Sequence, residues 1–168
     1  MEYLIREMKQ GDIEAVQKVA EVSWEDTYKD IIPIEIQKRF LASAYSHEMM
    51  EKRLETSFLY VVEIKGEIKG FANFSQVKEG GEVELGAIYL LPENQGYGLG
   101  AALLEKGIQS IDGIEKIYIN VEEENLTGKA FYSNKGFQEV SEFEDDLYGH
   151  KSKMLRMVMP VEVNRKIG

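Results

Sequence analysis

The chain contains no cysteine, only two histidines (His47 and His150) and only three prolines among its 168 residues. The absence of cysteine excludes disulfides, thiolate metal sites and a cysteine nucleophile. Two histidines are too few for a multi-histidine metal centre, so we expect no bound metal. No apolar run approaches the roughly 20 residues that cross a bilayer, and the first residues lack the pattern of a signal peptide. We therefore expect a cytoplasmic protein with no membrane partner.

Positive charge is also scarce. The 20 Lys and Arg residues are outnumbered by 30 Asp and Glu residues, which leaves a formal net charge of −10. Nucleic-acid binding needs a basic surface that replaces counterions on phosphates, so the composition argues against it. The same charge favours a cationic partner by long-range attraction. Apolar residues still make up 43% of the chain, enough for one core, and we expect a single domain over residues 1–168.

The spacing of the apolar residues predicts an α+β fold with about seven strands. Strands are expected near residues 3–5, 58–64, 68–74, 83–91, 117–121, 137–143 and 153–159. Helices are expected after Asp12, from Ile34, over residues 99–111 and from Asn125 to Gly136, a glycine placed to end its helix. The acidic run at residues 142–146 is typical of a solvated loop. This order places helices on both faces of one sheet.

The segment from Gln95 to Gly100, Gln-Gly-Tyr-Gly-Leu-Gly, connects a buried strand to an amphipathic helix. Its glycines let backbone N–H groups approach a ligand closely, and the helix start adds free N–H groups and a positive dipole end. A P-loop would need Lys and Ser/Thr where Ala101 and Ala102 stand. A dinucleotide fingerprint would need an acidic residue at the end of the next strand, whereas Glu115 precedes that strand. We therefore predict a pyrophosphate site, with a ligand-free tight turn as the alternative.

Two motifs, at residues 95–100 and 125–137, together resemble the GNAT superfamily of N-acetyltransferases. The segment Gln95-Gly96-Tyr97-Gly98-Leu99-Gly100 is similar to its Q/R-x-x-G-x-G/A signature. The segment 125–132, Asn-Leu-Thr-Gly-Lys-Ala-Phe-Tyr, and the following Lys135-Gly136-Phe137 resemble its second hallmark, N-x-x-x-x-x-F-Y and then K/L-G-F. Residues 85–92 look like its fourth strand, and the resemblance covers essentially the whole chain.

The resemblance implies a GNAT α+β fold: a mixed, mostly antiparallel sheet whose fourth and fifth strands splay apart. It also implies an acetyl-CoA-dependent N-acetyltransferase in which an amine attacks directly within a ternary complex. Many members of that family pair through their terminal strands, so the resemblance allows a homodimer.

The resemblance further implies where acetyl-CoA would bind. The pantetheine arm would lie in the gap between the splayed strands and pair with the backbone of Ile88, Tyr89 and Leu90. The pyrophosphate would bind N–H groups of seven successive residues: Gln95, Gly96, Tyr97, Gly98, Leu99, Gly100 and Ala101. Asn125 would contact the cofactor, cap its helix or do both. Lys135 would approach the adenosine phosphate or remain a solvated lysine.

Two residues are candidates for the chemistry. Tyr132, in the family's helix position, would stand near the sulfur and protonate the departing thiolate; the alternative is an aromatic packed beside Phe131. Glu84 is a polar residue in an apolar strand and, by the two-residue period, shares a face with Gly86 and Ile88. It would act as the base or its water relay, or bind substrate. The alternatives are a solvent-facing carboxylate and water as the base.

The acceptor side is predicted at Trp24 and Tyr28, four residues apart on one helix. The surrounding segment resembles the substrate side of polyamine-type (PaiA-like) members, and aromatics beside Glu25, Asp26 and Asp30 suit an alkylammonium group. Ordinary helix packing is the alternative. A polyamine or other small primary amine is therefore favoured as substrate. A protein N-terminus, an amino acid, an antibiotic or a non-catalytic acyl-CoA sensor remain alternatives.

Overall fold

The computed structural model describes residues 1–162, within which seven strands and five α-helices follow one another. The strands are β1 (Leu4–Glu7), β2 (Phe58–Ile64), β3 (Glu67–Phe74), β4 (Glu82–Leu90), β5 (Lys116–Glu122), β6 (Gln138–Leu147) and β7 (His150–Pro160). The helices are α1 (Ile13–Tyr28), α2 (Ile34–Ala44), α3 (His47–Thr56), α4 (Leu99–Ser110) and α5 (Leu126–Lys135). Among these residues, no helix combines the length and apolarity needed to span a membrane.

The strands form one sheet in the order β1-β2-β3-β4-β5-β7-β6. Neighbouring strands are antiparallel except β4 and β5, which run parallel. Parallel neighbours need a crossover connection, and α4 supplies it. The predicted mixed, mostly antiparallel α+β sheet is confirmed.

The parallel pairing of β4 and β5 is short. It extends from Glu82 opposite Lys116 to Glu84 opposite Tyr118, and both strands then continue without pairing to each other. We call the gap beyond the last pair the β4–β5 fork. The predicted splaying of the fourth and fifth strands is confirmed.

A β-bulge lies beside the start of the fork. Asn73 of β3 pairs with Ala87 and Phe74 pairs with Leu85, which leaves Gly86 as an extra residue in β4. A bulge bends its strand and increases the local twist. The second half of β4 therefore takes a different course from the half that pairs with β5.

Apolar layers cover both faces of the sheet, as expected. The buried stripe of α4 packs on one face, and that of α1 packs on the other. The α4 stripe consists of Leu99, Leu103, Leu104 and Ile108. The α1 stripe consists of Ile13, Val16, Val19 and Ala20. The period of about 3.6 residues in both segments is why the sequence predicts these two helices well.

The apolar pattern does not predict α3. This helix fully buries only one side chain, that of Met50, so it has almost no apolar stripe. Its start does carry a local signal, because the hydroxyl of Ser46 accepts the N–H of Met49 at 3.2 Å as an N-cap. A capping residue before a polar segment was therefore the signal in the sequence that could have predicted this helix.

The expectation of a loop at residues 142–146 is wrong. These residues belong to β6, which pairs with β7 from Gln138 to Leu147. Because β6 is an edge strand and is exposed along nearly its whole length, its sequence shows no apolar alternation. Backbone pairing with β7 forms the strand in place of burial.

Gly107 provides a test of the packing between α4 and the sheet. A Cβ at this position would lie 2.3 Å from Cζ of the fully buried Phe74. Gly→Ala inside a helix ordinarily stabilises by about 1 kcal/mol, but crowding a packed core costs about 1–3 kcal/mol. We expect Gly107→Ala to lower the free energy of unfolding by about 1–2 kcal/mol in urea titrations.

Gly11→Ala is the matched control, because a Cβ there would meet nothing within 4 Å. It should leave the free energy of unfolding unchanged or slightly raised. A Gly107→Ala protein as stable as the wild type would contradict the close contact between α4 and Phe74.

Candidate active site

A cleft of about 630 Å³ opens in the β4–β5 fork. Its walls are the second half of β4, the loop at residues 95–100 with the start of α4, the end of β5 with α5, and the last turns of α1. These elements surround one space because β4 and β5 separate between them. The lining includes every predicted site residue except three, namely Trp24, Glu84 and Tyr97.

The loop at residues 95–100, which we call the glycine loop, has an open backbone. Gly96 and Gly98 both take left-handed conformations, with φ of 85° and 81°, and a Cβ at either would meet nothing within 4 Å. Gly98 is also the N-cap of α4, whose first N–H groups have no acceptor within the helix. This cradle fits a pyrophosphate group. Tyr97 is 63% exposed and lies outside the cleft.

Beyond Glu84, the edge of β4 that faces β5 has no strand partner. This part contains Ile88, Tyr89 and Leu90, which line the cleft. All three pair with β3, and only on the side away from β5. Peptide groups of a strand alternate between its two neighbours, so those directed toward β5 lack a ladder partner. An extended amide chain can add here as a strand would.

Asn125 caps α5, as one of the two alternatives predicts. Its Oδ1 accepts the N–H of Gly128 at 2.9 Å. A Cβ at Gly128 would lie 2.6 Å from Nδ2 of Asn125, so a larger residue there would force the capping side chain to shift. Asn125 also lines the cleft, as does Lys135 near the end of α5, whose Nζ lies 5.9 Å from the ring centroid of Phe131.

Tyr132 is half-buried in the cleft wall. Its ring packs edge-on against Phe131 and Phe137, with centroid distances of 5.4 Å in both cases. Burial raises the pKa of the Tyr132 phenol, and the nearby phenol of Tyr89 adds to the shift. The hydroxyl therefore keeps its proton throughout the neutral range and can act as a donor.

The predicted face of Glu84 is wrong. Leu85 and Ile88 both pack on the α4 side of the sheet although they are three residues apart. The bulge at Gly86 causes this, because one extra residue reverses the two-residue alternation. Glu84 therefore lies on the face opposite to Ile88, and it does not line the cleft.

Glu84 instead takes part in an ion pair at the base of the fork. Arg156 of β7 donates from Nη2 to Oε1 of Glu84 at 2.5 Å and from Nη1 to Oδ1 of Asn120 at 3.0 Å. The guanidinium also lies 4.4 Å from the ring centroid of Tyr118. Arg156 thus joins β4, β5 and β7 where the parallel pairing ends.

Trp24 lies inside the helical layer and outside the cleft. It is 7% exposed and stacks on Phe40 at a centroid distance of 4.5 Å, as its packing alternative expects. Its Nε1 donates to Oη of Tyr89 at 3.0 Å. Tyr28, one turn later, does line the cleft. Burial is the main cause that raises its pKa well above the usual range, and the phenols of Tyr89 and Tyr132 add to the shift.

Sequence reasoning does not single out Glu122, the one buried carboxylate within residues 1–162. It is 5% exposed, and its Oε2 accepts the N–H of Glu124 at 3.0 Å. Burial raises the pKa of Glu122, an effect that the Glu124 hydrogen bond opposes. Glu122 shares a face of β5 with Asn120, which lines the cleft. Its position at the end of an apolar strand was the available signal in the sequence.

Comparison with known proteins agrees with this geometry. The model of the acetyltransferase (GNAT) family matches residues 2–137. The uncharacterized N-acetyltransferase YuaI of Bacillus subtilis is 33% identical over 161 residues, which cover 93% of this chain and 92% of that protein.

Solved structures share the fold at lower identity. The PaiA N-acetyltransferase of Thermoplasma acidophilum, in complex with coenzyme A, has a TM-score of 0.83 and 23% identity, over 95% of this chain and 99% of that one. The ribosomal-protein-S18-alanine N-acetyltransferase of Escherichia coli has a TM-score of 0.74 and 20% identity, over 96% of both chains. Together with the fork, the glycine loop and the two motifs, these matches show that the chain belongs to the acetyltransferase (GNAT) family and is an N-acetyltransferase that uses acetyl-CoA.

Proposed function

We propose that this enzyme acetylates a small primary amine with more than one positive charge, such as a polyamine. The distribution of charge in the cleft carries this proposal. Lys135 is the only Lys or Arg among the lining residues that the structure describes, whereas Asp26 and Glu124 contribute carboxylates. The buried carboxylate of Glu122, which accepts the N–H of Glu124, has no Lys or Arg ion pair within residues 1–162. An alkylammonium group would supply the missing countercharge.

Backbone groups would hold most of the cofactor. Gly96, Gly98 and the first N–H groups of α4 would bind the pyrophosphate, and the open edge of β4 would pair with the amides of the pantetheine arm. Lys135 would bind the adenosine phosphate, and Asn125 would add a contact while it caps α5. Bound acetyl-CoA supplies an acetyl group activated as a thioester.

The proton chemistry falls to Tyr132 and water. Tyr132 holds a proton at Oη and would donate it to the departing sulfur. Glu84 is ion-paired with Arg156 and lies outside the cleft, so we assign removal of the proton from the acceptor ammonium to water. Glu84 would then act by holding the base of the fork. Tyr28 would contact the acceptor. Trp24 would act from within the helical layer, where it packs against Tyr28.

Cofactor binding is tested first. Gly98→Val should abolish the rise in melting temperature that acetyl-CoA gives the wild type through preferential binding to the folded state. The substitution puts a β-branched side chain at φ 81° in the proposed phosphate cradle. Differential scanning fluorimetry with and without acetyl-CoA measures the effect.

Gly80→Val controls for strain, since Gly80 has φ 82° and lies in a loop outside the cleft. This variant should lose stability yet keep the acetyl-CoA shift. An undiminished shift in Gly98→Val would place the pyrophosphate elsewhere.

Tyr132→Phe tests the proton donor. The change removes only the hydroxyl, so kcat should fall roughly 10²-fold or more, the range of general acid catalysis. The affinity for acetyl-CoA and the melting temperature should stay close to wild-type values, because the ring contacts with Phe131 and Phe137 remain. Single-turnover kinetics ensure that acetyl transfer itself is measured. An unchanged single-turnover rate would remove the catalytic role from Tyr132.

The acceptor is tested with matched amines and thiol release as the readout. A diamine such as 1,4-diaminobutane should have a higher kcat/KM than 4-amino-1-butanol, which lacks the second charge. The advantage should shrink as salt is added, since exposed charges are screened over about 8 Å at physiological ionic strength. Asp26→Asn should reduce it about two- to fivefold, in the range of exposed ion pairs.

Asp112→Asn makes the same change of net charge at an exposed residue outside the cleft and should leave the preference unchanged. Equal kcat/KM values for the two amines, or a preference that salt does not alter, would refute the cationic acceptor while leaving acetyl transfer intact.

A further inference from the structure

The hydrogen bond between Trp24 and Tyr89 determines where the Tyr89 proton can point. An indole N–H only donates, so in this bond Oη of Tyr89 is the acceptor. The phenolic proton of Tyr89 must then be directed away from Trp24. No protein group within residues 1–162 accepts it. Tyr89 therefore carries an oriented donor that the protein itself leaves unused.

The indole has little freedom to release this bond. Trp24 is 7% exposed, lies between Phe40 and Tyr28 at centroid distances of 4.5 and 4.6 Å, and belongs to the apolar cluster that Tyr89 also joins. Packed side chains of this kind occupy single rotamers. The Tyr89 oxygen is thus held by a rigid partner rather than by solvent.

The residue that carries the unused donor belongs to the cleft where the chemistry is proposed. Tyr89 lines the cleft together with Tyr28 and Tyr132. The phenol of Tyr89 contributes, after burial, to the raised pKa values of both. Tyr132 is the residue assigned to the sulfur. Tyr89 therefore shares the cleft with the residue assigned to the sulfur.

The reacting groups offer few partners for such a donor. An ammonium only donates, and a neutral amine directs its lone pair at the carbon that it attacks. The sulfur is a weak acceptor and is already assigned to Tyr132. The remaining acceptor is the carbonyl oxygen of the acetyl group, which gains negative charge during transfer. A fixed donor at that oxygen is worth more in the transition state than before it.

We propose that Trp24 positions the Tyr89 hydroxyl to donate a hydrogen bond to the carbonyl oxygen of the transferred acetyl group. The inference rests on the proposed function. In the reaction the amine nitrogen forms the new N–C bond, the C–S bond breaks, and its electron pair leaves on sulfur. The protonated amine loses two protons. One is released to solvent, and the other replaces the proton that Tyr132 donates to sulfur. Tyr89 keeps its own proton, and Trp24 acts only through Tyr89.

Tyr89→Phe tests the donor by binding and by rate. Coenzyme A lacks the acetyl carbonyl, so calorimetry should show that Tyr89→Phe reduces the preference for acetyl-CoA over coenzyme A about fivefold, in the range of one hydrogen bond. The single-turnover rate should fall about 10²–10³-fold, as for loss of one oxyanion donor. Tyr45→Phe is the matched control, because Tyr45 is a buried phenol outside the cleft; it should change neither quantity.

Trp24→Phe tests the positioning role. It keeps an aromatic ring against Phe40 but removes the N–H, so the rate should fall about 10-fold, less than in Tyr89→Phe. The double variant Trp24→Phe/Tyr89→Phe should be no slower than Tyr89→Phe alone, because one residue acts through the other. Trp24 is the only tryptophan of the chain, so its fluorescence emission should shift in Tyr89→Phe and not in Tyr45→Phe.

Two results would overturn the inference. One is a Tyr89→Phe protein that matches Tyr45→Phe in both its acetyl-CoA preference and its rate. The other is a double variant whose loss of single-turnover rate equals the product of the losses in Trp24→Phe and Tyr89→Phe. Trp24 would then act by packing alone. A wild-type protein that turns over no amine would instead refute the proposed function, and the binding comparison would still test the hydrogen bond.

Discussion

Parallel pairing between β4 and β5 stops after three residue pairs, and this limited ladder determines where a ligand can bind. A continued ladder would have satisfied the backbone of both strands and left no gap. The bulge at Gly86 turns β4 away on one side, and Arg156 ties the strands together just before they part. The open strand edge and the cleft between β4, β5, α1 and α5 both follow from strands that pair at one end and separate at the other.

The divided sheet also explains how an acidic protein can use an anionic cofactor. In the site proposed at the glycine loop, attraction would come from backbone N–H groups and a helix dipole, which do not depend on net charge. Carboxylates are placed at the other side of the cleft, on α1 and before α5. Local backbone geometry and overall composition therefore act on different parts of the reaction. Under the proposed function, the first would hold the donor of the acetyl group, and the second would favour a cationic acceptor.

The features that sequence could predict are those set by near neighbours in the chain. The glycine loop, the Asn125 cap and the stripes of α1 and α4 each depend on residues within a few positions of one another. The face of Glu84 could not be predicted, because the bulge that reverses it depends on register with β3. The α3 helix has too little burial to leave a pattern, and β6 is formed by pairing with β7. The hydrogen bond between Trp24 and Tyr89 could not be predicted either, because it joins residues 65 positions apart. The same holds for the burial of Glu122, which depends on packing around β5.

The acidic residues of β6 have a consequence for how copies of the protein meet. An edge strand leaves one row of backbone N–H and C=O groups free, and such a row can pair with the same row on another molecule. Here that pairing would bring together two strands that each carry Glu139, Glu142, Glu144, Asp145 and Asp146. Repulsion between like charges would oppose such a pairing. The acidic residues that leave β6 without apolar alternation in the sequence would also disfavour its pairing with a second β6.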